Sequence, residues 1–258
     1  MKKSIAHVFI FLSIQAIVSM AVRVVWKLLT GVPDLTVGAI ITASVLSNVL
    51  ALALFLGLRW AEVSPNWLRT RPWMVLAWSV IASVGLVIPS TWLQEQMPEL
   101  PNLVEEQFGQ VLSNRWGYLA VGLLAPMAEE VVFRGAVLRS LLASFRLPWV
   151  AIAISALLFA AVHLNPAQMP HAFLVGMLLG WMYWRTGSIL PGMAYHWANN
   201  SVAYVIYNVY PDPDLKLIDL FGGSQQHVLA AVGFSMLILL PALYQLHVWM
   251  RPATPRLH

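Results

Sequence analysis

Apolar residues in this chain gather in long blocks rather than alternating with polar ones. Eight blocks stand out, at about 4–22, 36–58, 72–93, 117–142, 147–164, 169–185, 188–208 and 226–249, and the first runs on toward Trp26 and Leu29. Each has the length of a helix that crosses about 30 Å of hydrocarbon, which takes roughly 20 residues. Within lipid the backbone must satisfy its own hydrogen bonds, so such blocks become helices. No repeat, low-complexity tract or second domain interrupts them. The pattern predicts an all-α, polytopic membrane bundle of about eight transmembrane helices, with residues 1–258 forming a single transmembrane domain.

Composition agrees. The chain is 59% hydrophobic and 10% charged, with mean hydropathy +0.72, whereas soluble domains carry about 25% charged residues. Its twelve tryptophans fall mostly near block ends, as in an aromatic belt. Net charge is +4, but the basic residues are dispersed over short loops without interleaved aromatics, so nucleic acid is not an expected partner. The absence of cysteine excludes disulfides and thiolate metal sites. Met1-Lys2-Lys3 precedes an apolar run without a clear small-residue cleavage site, which favours an uncleaved first helix.

Loop charge sets an orientation. With the N-terminus cytoplasmic, ten basic residues lie inside: Lys2, Lys3, Arg59, Arg69, Arg71, Arg139, Arg146, Arg185, Arg251 and Arg256. Four lie outside: Arg23, Lys27, Arg115 and Lys216. That bias predicts a multi-pass protein of the cell (inner) membrane with both termini cytoplasmic. The acidic residues Glu95, Glu99, Glu105, Glu106, Asp212, Asp214 and Asp219 then fall outside. The segment 94–116 holds Leu100, Leu103, Val104, Phe108 and Leu112 near helical spacing. It reads equally as an interfacial helix and as a solvated loop.

Three polar groups break the apolar blocks. In Glu129-Glu130-Val131-Val132-Phe133-Arg134, the positions of Glu130 and Arg134 are i,i+4 and share a helix face. Pairing lowers the cost of burying both. Glu129 is turned roughly 100° away and has no local partner, which frees it for chemistry. The same three charges also read as a cluster that only fastens helices together. Phe159 and His163, at the end of the fifth block, are again i,i+4. In the seventh block His196 and Asn200 share a face, with Asn199 a competitor for the second place. Ser188 is placed to cap that helix and Pro191 fits its first turn. An imidazole and a carboxamide are donors suited to a developing oxyanion, and equally to interhelical hydrogen bonding. Together, one carboxylate, two histidines and an amide on three helices supply a base, a partner for water and an oxyanion hole. Two further features read blandly. Gly176 and Gly180 permit close helix packing, and His171 beside Pro170 is interfacial.

Glu129-Glu130-x-x-x-Arg134, Phe159-x-x-x-His163 and His196-x-x-x-Asn200, in this order on successive helices, resemble the motifs of the CAAX-protease and bacteriocin-processing family of intramembrane proteases (type II CAAX endopeptidases, Abi-like). The resemblance spans about 117–209, which would be the protease core. It implies an eight-helix bundle with a membrane-embedded cavity and peptide hydrolysis without an acyl-enzyme. Glu129 and His163 would hold and activate the water. His196 and Asn200 would stabilise the oxyanion, and Glu130 and Arg134 would keep the site in shape. No cofactor is expected. If the enzyme depends on a metal, Glu129, His163 and His196 could form a two-histidine, one-carboxylate zinc site with an open position, although no His-Glu-x-x-His pattern is present.

The expected partners are the lipid bilayer and a membrane-associated peptide or protein substrate. The family name points to prenylated C-termini, but no lipid groove is legible, and the short-looped chain looks bacterial. Buried charges also serve transporters, or a non-catalytic scaffold or immunity protein, so these readings stay open. Depth poses a problem. Glu129 lies about 20 Å down its helix, whereas His163 ends its own span on the outer side. Tilted or staggered helices, or a fifth span with misplaced ends, are needed to unite them.

Overall fold

The computed structural model describes residues 1–32, 36–64, 73–212 and 215–250. Arg69, Arg71, Arg251, Arg256 and Asp214 lie outside the described residues. Among those described there is no strand, and a helix stands at each of the eight predicted blocks. These are α1 (Lys2–Thr30), α2 (Val37–Gly57), α3 (Trp73–Glu95), α5 (118–142), α6 (Pro148–Ala161), α7 (Met169–Thr186), α8 (Leu190–Val209) and α10 (Gln225–Trp249). Two short helices, α4 (Glu105–Leu112) and α9 (Leu217–Leu220), sit between them. By length and composition, α1, α2, α3 and α10 are long and apolar enough to cross a membrane, and α6 is a shorter apolar helix. Large apolar side chains such as Phe9, Leu157, Phe234 and Leu237 face outward, as a lipid-facing surface requires.

Local signals end the helices. Gly31 and Gly187 follow α1 and α7 in the left-handed region, at φ 72° and 65°. Each returns its N–H to the last turn, on Lys27 O and Tyr183 O, a turn that glycine enters without strain. The Thr36 hydroxyl accepts from Ala39 N at the start of α2. Prolines 148, 170 and 191 occupy first turns, where a missing N–H costs nothing. Ser188 stands one residue before the N-cap of α8, and its hydroxyl accepts from Leu190 N.

Helices α5 to α8 form the centre. One flank is α1 with α2, packed on α5, and the other is α3 with α10, packed on α8. Phe11, Phe55, Phe133, Ile152 and Phe159 belong to one core, and Val75, Leu179, Tyr195, Leu239 and Leu246 to a second. Gly176 and Gly180 let α7 close on α6, as expected: a Cβ on Gly176 would stand 3.0 Å from Ala156, and one on Gly180 2.8 Å from Ile152.

Helix α5 departs from regular α geometry. It runs as π turns over Tyr118–Leu124, α over Ala125–Glu130, π again over Val131–Leu138 and α over Arg139–Leu142. Such π turns gather at functional sites. Neighbouring side chains reach carbonyls within both π stretches. Ser155 Oγ donates to Phe133 O at 3.3 Å, and Asn200 Nδ2 to Val121 O at 3.0 Å.

The depth conflict resolves in α6. Its 14 residues rise only about 21 Å, well short of the roughly 30 Å hydrocarbon layer. His163 is therefore not at the far end of a full span, as the block 147–164 implied. It lies in the turn that follows the helix, whose N–H bonds to Ala160 O keep it one turn from Phe159. Leu164, with φ +51°, then reverses the chain. Asn165 fixes that turn from beneath: it accepts from Leu103 N and donates to Asn102 Oδ1.

The loops sort to two ends. Met1 N donates to Ser144 Oγ, Arg139 pairs with Glu62, and Arg185 donates to Met250 O. Pro101 O accepts from Ala167 N, and Glu95 accepts from Leu217 N, at the other. The predicted amphipathic stripe of 94–116 divides. Helix α4 forms with Glu105 and Glu106 in its first turn and Leu112 buried, while Leu100 and Leu103 stay exposed.

Gly85 lets α3 meet α10 backbone to backbone, since a Cβ there would stand 2.9 Å from Leu239 N. Gly85→Ala should cost about 1–3 kcal/mol in unfolding experiments in micelles. Gly233→Ala on α10, where nothing lies within 4 Å, should leave stability unchanged or raise it by about 0.5–1 kcal/mol.

Candidate active site

The three motifs meet. Glu130 and Arg134 are fully buried, and Arg134 donates through Nη1 to Glu130 Oε1 at 2.8 Å, the pairing expected from their spacing. The same oxygen accepts from His196 Nδ1 at 3.0 Å. A carboxylate only accepts, so Nδ1 carries the hydrogen, and Nε2 is the atom left for chemistry. That atom lies 3.6 Å from Glu129 Oε2. Glu129 is 19% exposed, against none for Glu130. The adjacent carboxylates thus differ in exposure, Glu130 enclosed and Glu129 more open. Yet Glu129 is not without a partner: His196 bridges the two.

Phe159 is the hub of the packing. Its ring carries the Arg134 guanidinium at 4.5 Å on its face. It meets Phe133, His163 and His196 edge-on at 5.2, 5.0 and 5.8 Å between centroids. His163 Nδ1 donates to Phe159 O at 2.8 Å, since a carbonyl only accepts. In a neutral ring Nε2 then keeps its lone pair. His163 is therefore brought to the site through Phe159. No hydrogen bond or ion pair joins it to Glu129 among the described residues.

Arg134 spreads its charge further, donating through Nη2 to Gly176 O on α7 at 3.3 Å. The remaining oxygen of Glu130, Oε2, has no hydrogen-bond partner among the described residues. It fits against Gly192 of α8, where a Cβ would stand 2.7 Å away. Sequence reading missed Gly192, whose role depends on the register of α8 against α5. It also missed that Phe159, more than a motif marker, touches every charged partner but the glutamates.

Helix α8 presents polar groups to α5, to α4 and to the turn between them every fourth residue. His196 reaches Glu130, Asn200 reaches Val121 O, Tyr204 reaches Asn114 O and Asn208 reaches Leu112 O. Spacing of four keeps them on one face. Asn200, not Asn199, holds the fourth-residue place; Asn199 Nδ2 donates to Asn200 Oδ1 at 3.4 Å. His171, expected at the interface, is half-buried at the start of α7 and within electrostatic reach of His196 and His163. The tight turn after His163 folds it back; its nearness in sequence to His163 was the only available signal.

Among the described residues, no three His, Asp or Glu side chains are grouped as ligands of one metal ion. Glu129, His163 and His196, as placed, do not fit a shared zinc. A cleft of about 710 Å³ lies elsewhere, lined by Glu105, Glu106 and Tyr207 among others, and holds no motif residue.

Residues 111–202 match the family described as Type II CAAX prenyl endopeptidase Rce1-like. All three motifs fall inside that stretch. No match to the chain was found among curated proteins or among solved structures.

Removing one partner of a buried ion pair leaves an uncompensated charge. Arg134→Leu should cost about 3–5 kcal/mol, and Glu130→Gln added to it should restore part of the loss, read by denaturant unfolding in micelles. Gly192→Ala should destabilise by about 1–3 kcal/mol, because Glu130 Oε2 must move.

Proposed function

From the membership of residues 111–202 in the Rce1-like CAAX endopeptidase family, we propose that the protein is an intramembrane endopeptidase that hydrolyses peptide bonds with an activated water. One observation carries this reading. Glu130 Oε1 takes hydrogens from both Arg134 and His196, and so aims His196 Nε2 at the more exposed Glu129. Packing alone does not call for a second carboxylate there, since each buried ionisable group costs several kcal/mol.

In this reading Glu129 is the general base. It takes a proton from the water as the water oxygen attacks the scissile carbonyl carbon. His163, with its lone pair at Nε2, accepts the other water hydrogen and orients the nucleophile. The carbonyl π electrons move onto oxygen, where Asn200 donates through its free N–H. His196 joins it when Glu129 shares that proton with Nε2 across their 3.6 Å contact, and Glu129 holds it again before collapse. As the tetrahedral intermediate collapses, the C–N pair leaves on nitrogen and takes back the proton held by Glu129. The water has then been divided: its oxygen and one hydrogen complete a carboxylic acid, and its other hydrogen completes the amine. Glu130 and Arg134 hold the site in shape and touch no reacting atom.

The substrate in this account is a membrane-associated peptide or protein. The long helices other than α6 cross the bilayer in this account, with Met1, Ser144 and Met250 at the cytoplasmic end of a bacterial inner membrane. The basic residues Arg59, Arg139, Arg146 and Arg185 support that orientation.

Glu129→Gln keeps the shape and removes the base. It should lower cleavage by at least about 10²-fold, the usual contribution of a general base, while the protein inserts and unfolds like the wild type. New termini in the membrane proteome should appear with the wild type and be lost in the variant. Undiminished cleavage by Glu129→Gln would sink the assignment.

A further inference from the structure

The site as described is short of hydrogen-bond donors for an oxyanion. His196 gives its Nδ1 hydrogen to Glu130 and turns Nε2 toward Glu129, so the neutral ring has no second N–H to offer. His163 gives its only neutral-state N–H to Phe159 O. Asn200 gives one amide hydrogen to Val121 O and keeps one. Stabilisation of an oxyanion works through several donors already in place before charge develops.

One group is positioned to fill the deficit. Helices α7 and α8 are joined by the short turn 187–189 and pack against each other, so they run antiparallel. Leu179 of α7 faces Gly192 of α8, where a Cβ would lie 3.6 Å from Leu179 Cδ2. Counted from that contact, one turn back along α7 for each turn forward along α8 sets Val175 against His196 and His171 against Asn200 in register. Two ties hold that end of α7 in place. Met169 N donates to Asn165 O, next to the His163 turn, and Gly176 O accepts from Arg134. His171, between these ties, is half-buried and in electrostatic reach of both His163 and His196. Its ring makes no hydrogen bond among the described residues.

We propose that His171 is a further catalytic residue: its ring N–H, beside the free N–H of Asn200, donates to the oxyanion formed when water attacks the scissile carbonyl. This rests on the peptidase reading above. The ring stays neutral throughout and transfers no proton. It binds the carbonyl oxygen weakly in the substrate and strongly once that oxygen is charged.

The test uses the full-length protein in liposomes and, as reporter, the membrane segment whose new termini depend on Glu129. His171→Phe keeps the ring volume and removes the donor. It should lower kcat by about 10²–10³-fold, the usual loss for one such donor, with KM nearly unchanged. His171→Gln restores an N–H and should recover a large part of that loss. A wild-type kcat in His171→Phe overturns the proposal. Equal losses in both variants overturn it as well, because packing, not hydrogen donation, would then be the function of the ring. Cleavage that survives Glu129→Gln overturns the peptidase reading itself, a result distinct from either.

Discussion

A carboxylate and a guanidinium buried together in an apolar bundle set the terms for everything around them. Desolvating Glu130 and Arg134 is expensive, and their mutual attraction offsets the cost only when every remaining polar atom is well placed. The surroundings meet most of that demand, although Glu130 Oε2 and Arg134 Nε have no hydrogen-bond partner among the described residues. Gly176 supplies a carbonyl, Phe159 supplies the face of a ring, Gly192 leaves space for the second carboxylate oxygen, and His196 completes Glu130 Oε1. These contacts come from α6, α7 and α8, so the ion pair on α5 fixes the mutual register of the four central helices.

That register also gathers the polar side chains of the motifs. Because Glu130 holds His196 by Nδ1, Nε2 points at Glu129. Because Phe159 lies against Arg134, the turn that follows it carries His163 to the same place. A transporter would also use buried charges, but it calls for paired, interrupted helices about a midplane site, and no internal repeat is present in the chain. Among the described helices the π turns lie in α5, on either side of the glutamates.

The helices and the pairing within each motif were legible in the sequence, because both depend on local periodicity. Block lengths placed all eight long helices, and i,i+4 spacing matched Glu130 to Arg134. What was not legible depends on how one helix slides past another. His196 bridging both glutamates and Gly192 seating Glu130 follow from interhelical register, which spacing along one helix does not encode. The short α6 is a related case: the apolar run continued past Ala161, and only the turn at Val162–Leu164 ends the helix early and holds His163 against Phe159.

The most direct measurement of the central claim follows the fate of water. Wild-type protein in liposomes would be mixed with a cleavable membrane peptide in H2 18O, and both the products and the enzyme would be weighed by mass spectrometry. Direct attack by a Glu129-activated water predicts one 18O in the new carboxylate and an enzyme of unchanged mass at steady state. An intact peptide, or an enzyme carrying the acyl half of its substrate, would contradict the account.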